Sequence, residues 1–299
     1  MYVAEVTGGN VTGRPDPLSL VTPEVIEAFA RDGAVWIRGL LSPSWLALLE
    51  LGLKRNMNSP GPNGFWHWAG EPGQYWDDYC NYAAIPEYQR LLADSPIVDV
   101  MAKVLRSESL WLFCDQIFVK EGGYSRPTRW HQDTPFWMAD GERTATMWIS
   151  LDPLTERETL EVVAGSHKQT LYRPNIVGTG LFTKKAEVGA EGESLALVER
   201  ANAPPLPDID SDRDKWPIIS WASQPGDVLI FHPSALHGGA EMREGGRRRS
   251  VSLRFFGDDV RYIERSIPPD PPFPGVSEVL KPGDLIRHPW FPKLYPRPS

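Results

Sequence analysis

The chain has 299 residues, a formal net charge of −8 and 41 % hydrophobic side chains. That apolar share supports a sizeable core, and one elaborated domain is favoured because β-sandwiches and barrels routinely run past about 200 residues. The acidic balance argues against a nucleic-acid partner, and no stretch approaches the ~18 continuous apolar residues of a membrane span.

The N-terminus, Met1 to Asn10, has neither the basic nor the apolar region of a signal peptide. Thr22-Pro23-Glu24 predicts a helix start, with Thr as N-cap and Pro at the first helical position, running to about Asp32 with Gly33 as terminator. Ala34 to Ile37 reads as a strand. Ser42-Pro43 opens a second helix whose apolar face is Trp45, Leu46, Leu48, Leu49 and Leu53. The segment Gly64 to Tyr82 is rich in aromatics but broken by Gly64, Gly70, Pro72 and Gly73, a texture that predicts a substrate lid rather than a regular strand. Ser95-Pro96 opens a third helix through Val98, Met101, Val104 and Leu105.

From Leu110 the texture changes. Leu110 to Val119, Ala145 to Leu151, Leu160 to Val163, Val228 to Phe231 and Ser250 to Phe256 are short apolar runs separated by turn residues. This spacing predicts an all-β core with flanking helices rather than βαβ units. Lys184 to Asp214 is polar and reads as a long insertion, and the proline-rich tail from Ile267 to Ser299 reads as an irregular arm carrying Trp290, Phe291 and Tyr295. The expected organisation is one domain over 1–299: a helical elaboration over 20–108, a β core over 110–258 and a C-terminal arm over 259–299. Cys80 and Cys114 form no CxxC motif and no disulfide framework, which fits buried, inert thiols in a reducing cytosol, so a cytoplasmic protein is expected.

The chemistry concentrates in Arg129-Trp130-His131-Gln132-Asp133 and in Leu236-His237-Gly238-Gly239. On a strand, residues i and i+2 share a face, so His131 and Asp133 can grip one metal ion from one side. His237 supplies a second imidazole. Two histidines and one carboxylate leave the opposite face of an octahedral ion open, the arrangement expected of non-heme Fe(II) oxygenases. His232 is a rival for the distal position. His237 is favoured because Gly238-Gly239 lets the backbone pass close to a crowded site, and because His232 precedes Pro233 and reads as structural.

Strand alternation puts Arg248, Ser250, Ser252 and Arg254 on one face and Arg247, Arg249, Val251 and Leu253 on the other. An inward arginine is costly unless it meets an anion, and its fork matches a carboxylate in bidentate geometry. Arg248 with Ser250 therefore makes a seat for the far carboxylate of a dicarboxylic cosubstrate. Arg126 and Arg129 read as surface charges, with a contact to an anionic substrate as the alternative.

These motifs, with Pro135-Phe136-Trp137 and Glu161-Val162-Val163-Ala164-Gly165-Ser166-His167, resemble the phytanoyl-CoA dioxygenase family from about Val25 to Arg254. The resemblance implies a double-stranded β-helix (a cupin-like jelly roll) that uses Fe(II), 2-oxoglutarate and O2 to oxidise a C–H bond of a small organic molecule. It also implies iron on His131, Asp133 and His237, 2-oxoglutarate on Arg248 and Ser250, and Trp148 beside that cosubstrate. Where the family often has Asn-Gly ahead of the Gly-Ser-His element, this chain has Glu158-Thr159. Two other readings remain at this stage: a cupin-type metal enzyme that does not use 2-oxoglutarate, and a metal-binding protein without turnover.

Overall fold

A computed structural model describes residues 15–67, 69–70, 74–120, 127–173, 203–239, 242, 246–265 and 269–297. The helices begin where their caps predict. In α1 (Pro23–Asp32) the Thr22 hydroxyl accepts from the Val25 N–H, and Gly33 closes the helix at φ 76°. After β1 (Ala34–Ile37), α2 (Pro43–Asn58) is capped by Ser42 through the Trp45 N–H. The aromatic segment is not an irregular lid. It forms a hairpin of β2 (Phe65–His67) and β3 (Tyr75–Tyr79), and β3 pairs in register with β4 (Leu110–Lys120). Alternation overrides the loop-like composition: Trp76 is buried in the main core while Trp66, on the outermost strand, is 46 % exposed. Trp68, Pro72 and Gly73 of that segment lie outside the described residues. Two helices follow the hairpin, α3 (Pro86–Asp94) and α4 (Ile97–Val104). The third expected helix is α4; Pro96 is its N-cap, and Ser95 Oγ accepts from the Ile97 N–H.

The remaining strands are β5 (Thr128–His131), β6 (Ala139–Asp140), β7 (Thr144–Ser150), β8 (Leu160–Val163), β9 (Ile218–Ile219), β10 (Val228–Phe231), β11 (His237–Gly239), β12 (Arg248–Phe256) and β13 (Arg261–Tyr262). The tail is less irregular than its prolines predict. It carries α5 (Val276–Val279) and β14 (Lys293–Tyr295), which pairs with β4. Of the expected insertion 184–214, residues 184–202 lie outside the described residues; the remainder includes a 3-10 stretch from Asp210.

The strands form a large antiparallel sheet, ordered β1-β10-β7-β12-β4-β3-β2, and a smaller one, ordered β5-β11-β8-β9. This is a double-stranded β-helix with helices on one face. The outer face of the large sheet, with Val35, Ile117, Met147, Ile230, Val251 and Leu253, packs against Val25, Phe29, Leu49, Leu53, Leu91 and Met101 of the helices. Arg249 also turns to this outer side. There it clasps Asp152 with Nε and Nη2, at 3.1 and 2.9 Å, and reaches Glu50 with Nη1 at 2.8 Å. The inner face is different in kind, with Arg248, Ser250, Ser252, Arg254, Gln116 and Lys120 all buried. No described helix is long and apolar enough to cross a membrane.

Candidate metal centre and carboxylate seat

His131 ends β5 and His237 begins β11, and the two are direct partners in the antiparallel register. Their rings lie 4.2 Å apart between centroids. Each Nδ1 sits by a backbone carbonyl, Arg129 O at 2.8 Å for His131 and Ala235 O at 2.9 Å for His237. Donation from Nδ1 fixes the tautomer and leaves each Nε2 as the lone-pair atom that could ligate a metal. Asp133 is not on the strand, as the i, i+2 argument assumed. The chain leaves β5 at Gln132, and Asp133 starts a 3-10 turn held by its N–H to Pro233 O at 2.8 Å. That turn, rather than strand alternation, brings the carboxylate to the histidines.

Asp133 Oδ1 lies 3.5 Å from His131 Nε2 and 3.9 Å from His237 Nε2. Donors each about 2.1 Å from a common ion are separated by roughly 3–4 Å, so the spacing suits one metal. The three residues are buried, and Asp133 Oδ1 has no hydrogen-bond partner, as expected of an atom reserved for an ion. Burial alone would raise the Asp133 carboxyl. The contact with His131 and the charges of His237 and Arg254 outweigh it and hold the group below the usual carboxylate range. Burial, reinforced by His131, pushes His237 down to about 4. A charged carboxylate beside a neutral imidazole is the protonation state that metal ligation needs.

His232 stays out of this cluster. Its Nδ1 accepts from the Ser234 N–H at 3.1 Å, its Nε2 lies 3.3 Å from Thr144 Oγ1, and its ring neighbours His167. It stabilises the turn before β11. The expected need for small residues after His237 is met in space: a Cβ at Gly238 would lie 3.0 Å from Thr128 O, and one at Gly239 would lie 2.9 Å from Thr128 Oγ1 and 3.3 Å from Arg248 Nη2. The Gly-Ser-His element serves the same strand, because Ser166 Oγ accepts from the Leu236 N–H at 2.8 Å.

On the inner face, Arg248, Ser250 and Trp148 come together as alternation requires: Ser250 pairs with Phe118 and Ser150, and Trp148 pairs with Ser252. Arg248 Nη1 donates to Glu158 O at 2.9 Å, while its Nε has no hydrogen-bond partner. The main chain at Glu158 is thus the anchor of this arginine, through a carbonyl that any residue there would offer. Glu158 also closes its own turn through the Thr155 N–H and Oγ1, at 3.0 and 2.8 Å. Sequence reasoning missed Lys120, the register partner of Arg248, whose ammonium stands 5.1 Å above the Tyr75 ring. Its signal was legible as a lysine directly after the apolar run Ile117-Phe118-Val119. Burial pushes Arg248 down to about 10, and burial plus the Arg248 charge lowers Lys120 well below its ordinary range. A bound carboxylate would relieve both penalties.

A second missed feature is a chain of buried hydrogen bonds. His67 Nε2 lies 2.8 Å from Asp77 Oδ1, Gln116 Nε2 donates to Asp77 Oδ2 at 3.0 Å, and Arg254 Nη2 donates to Gln116 Oε1 at 2.6 Å. Arg254 Nε then stands 3.7 Å from Asp133 Oδ2. The hairpin is connected in this way to the Asp133 carboxylate. The two free cysteines also meet here: Cys80 contacts the Cys114 thiol, which receives Arg254 Nη1 at 3.7 Å. Of the two arginines ahead of the motif, Arg129 is exposed and Arg126 lies outside the described residues.

The sequence model of the phytanoyl-CoA dioxygenase family matches residues 29–250. No curated protein matches the chain by sequence. Among solved structures, the non-heme alpha ketoglutarate dependent carbocyclase SnoK from nogalamycin biosynthesis aligns with a TM-score of 0.68 at 18 % identity, covering 94 % of this chain and 99 % of its own. The epimerase SnoN from the same biosynthesis gives 0.68 at 20 %, covering 93 % and 99 %. EctD from S. alaskensis gives 0.61 at 19 %, covering 93 % and 85 %. At these identities the likeness establishes the fold.

Proposed function

The chain belongs to the phytanoyl-CoA dioxygenase family of Fe(II)- and 2-oxoglutarate-dependent oxygenases, and on that premise we propose that it oxidises a C–H bond of a small organic molecule at a centre held by His131, Asp133 and His237. The observation that carries this reading is the register pairing of His131 with His237 and the placement of Asp133 Oδ1 near both Nε2 atoms. Iron and 2-oxoglutarate, when bound, activate O2 and deliver oxygen to the substrate with release of succinate and CO2. The protein contributes position and dryness. The two histidines hold their tautomers through backbone carbonyls. Arg254 faces the second oxygen of Asp133. Arg248, with Ser250 and Lys120 nearby, receives the far carboxylate of 2-oxoglutarate, and Trp148 walls the same space.

The test is an anaerobic titration of the Fe(II)-loaded protein with 2-oxoglutarate, followed by a succinate assay in air. The expected result is a metal-to-ligand charge-transfer band that is lost in Arg248→Ala, together with slow succinate release. Iron binding with no response to 2-oxoglutarate would return the chain to the reading of a metal enzyme that uses no such cosubstrate.

A further inference from the structure

The C-terminal arm runs back along the segment that leaves the metal centre. β13 pairs with β6, and then Ile263 N–H donates to Met138 O at 3.0 Å, Arg265 Nε to Trp137 O at 2.9 Å and Asp270 N–H to Phe136 O at 2.9 Å. The accepting residues, Phe136 to Met138, lie three to five positions after Asp133, so the arm is docked along the segment that follows it. Asp270 comes last in this series and is 5 % exposed. Its carboxyl meets the Tyr79 hydroxyl and lies within the fields of Arg254, Asp77 and Asp133. Tyr79 and Gln116 are register partners on the inner face, beside Arg254. Asp270 Oδ1 has no hydrogen-bond partner. A buried carboxyl oxygen without a partner is destabilising, and it persists where something else completes the bond.

We propose, on the oxygenase reading above, that Asp270 is a substrate-binding residue whose free carboxyl oxygen takes a hydroxyl group of a hydroxylated substrate beside the metal centre. The surroundings of Asp270 favour a hydroxyl over an ammonium. Burial raises the Asp270 carboxyl above its ordinary range and Arg254 opposes this; the same buried guanidinium repels a second cation there. A carboxyl oxygen accepts a hydrogen bond from a hydroxyl whatever its own charge. Tyr79 adds a ring to this polar cluster, in which Gln116 and Asp77 are already bonded to each other, to Arg254 and to His67, so the cluster has few alkyl contacts to offer a substrate.

The experiment measures succinate release by the Fe(II)-loaded full chain with three probe pools. One is hydroxylated (erythritol, myo-inositol, methyl β-D-glucoside and quercetin), one carries ammonium groups (putrescine and spermidine), and one is an apolar acid pool (octanoate and decanoate). Asp270→Leu and the near-isosteric Asp270→Asn are compared with the unaltered protein. The charge-transfer band with 2-oxoglutarate is recorded for all three, which separates a failed oxygenase reading from a failed Asp270 role. The expected result is the same band in each protein and stimulation by the hydroxylated pool in the unaltered chain. That stimulation should fall by about tenfold or more in Asp270→Leu, through KM, and by less in Asp270→Asn. Should Asp270→Leu fail to fold, a raised KM in Asp270→Asn with an unaltered band carries the same meaning. The proposal is overturned by equal stimulation in the variants, by stimulation from only the ammonium or apolar pools, or by no response to the hydroxylated pool.

Discussion

His131 and His237 face each other across one antiparallel ladder, and each commits Nδ1 to a carbonyl two residues earlier, so both Nε2 atoms converge on Asp133. Removing either imidazole should therefore abolish tight Fe(II) binding. The expected loss exceeds the 10–100-fold typical of outer-shell changes. His232→Ala should retain iron affinity and lose only stability, since His232 contacts Thr144 and the Ser234 N–H. Anaerobic Fe(II) titration of the three variants decides this; equal losses in all of them would dissolve the assignment.

Arg248 and Arg249 are neighbours with opposite duties. Arg248→Lys keeps the charge but loses the fork, so 2-oxoglutarate should bind about 10-fold or more weakly. Arg249→Met should leave that affinity unchanged, because its partners, Asp152 and Glu50, lie on the helix side of the sheet. It should instead cost about 1–3 kcal/mol of stability, since Asp152 and Glu50 lose the Arg249 fork while Arg247 Nε, at 3.0 Å, and the residue-249 N–H, at 2.8 Å, still hold Asp152. Urea denaturation alongside a cosubstrate titration separates the two effects.

The same pair sets a pH dependence. Burial would raise the Asp152 carboxyl, but the Arg249 hydrogen bonds and charge, helped by Arg247, overcome that and hold it below the ordinary carboxylate range. A depressed folded value means stabilisation that is complete above the unfolded value and disappears as pH falls through the lower folded one. The unaltered protein should thus lose this contribution only in acid, and Arg249→Met should show a shallower acid limb in melting temperature. An identical acid limb in both proteins would remove Asp152 from the account.

The aromatic hairpin contains two tryptophans with opposite expectations. Trp76 is 3 % exposed and packs in the helix-covered core, so Trp76→Ala should cost about 3–5 kcal/mol. Trp66 is 46 % exposed, and Trp66→Ala should stay within about 0.5 kcal/mol. Thermal melts of the two variants check the split, and a large loss from Trp66→Ala would contradict the strand assignment.

Gly239 stands where β11 passes both β5 and Arg248. An alanine there would bring Cβ to 2.9 Å from Thr128 Oγ1 and 3.3 Å from Arg248 Nη2. Gly239→Ala should cost about 1–3 kcal/mol of stability and weaken 2-oxoglutarate binding by displacing the guanidinium. Calorimetric titration with 2-oxoglutarate reads the second effect, which an unshifted Kd would refute.

The sequence by itself determined what depends on local stereochemistry. Thr22 and Ser42, each followed by proline, start helices because a hydroxyl and a donor-free residue suit a first turn. Alternation along β12 separates Arg248 and Ser250 from Arg249 and Val251 because successive strand side chains oppose one another. The candidate metal residues were legible as a set because few other arrangements explain His131, Asp133 and a glycine-flanked His237 together. Tertiary structure alone decided the rest. Asp133 reaches the histidines through a turn pinned to Pro233, a distant residue. The aromatic hairpin is a sheet edge because β4 offers it hydrogen bonds, which its own glycines and prolines do not reveal. Lys120 joins Arg248, Cys80 meets Cys114, and Asp270 arrives beside Arg254 only once strands and arm are packed. Such contacts join groups far apart in the chain, and their energy comes from burial and pairing that no single segment contains.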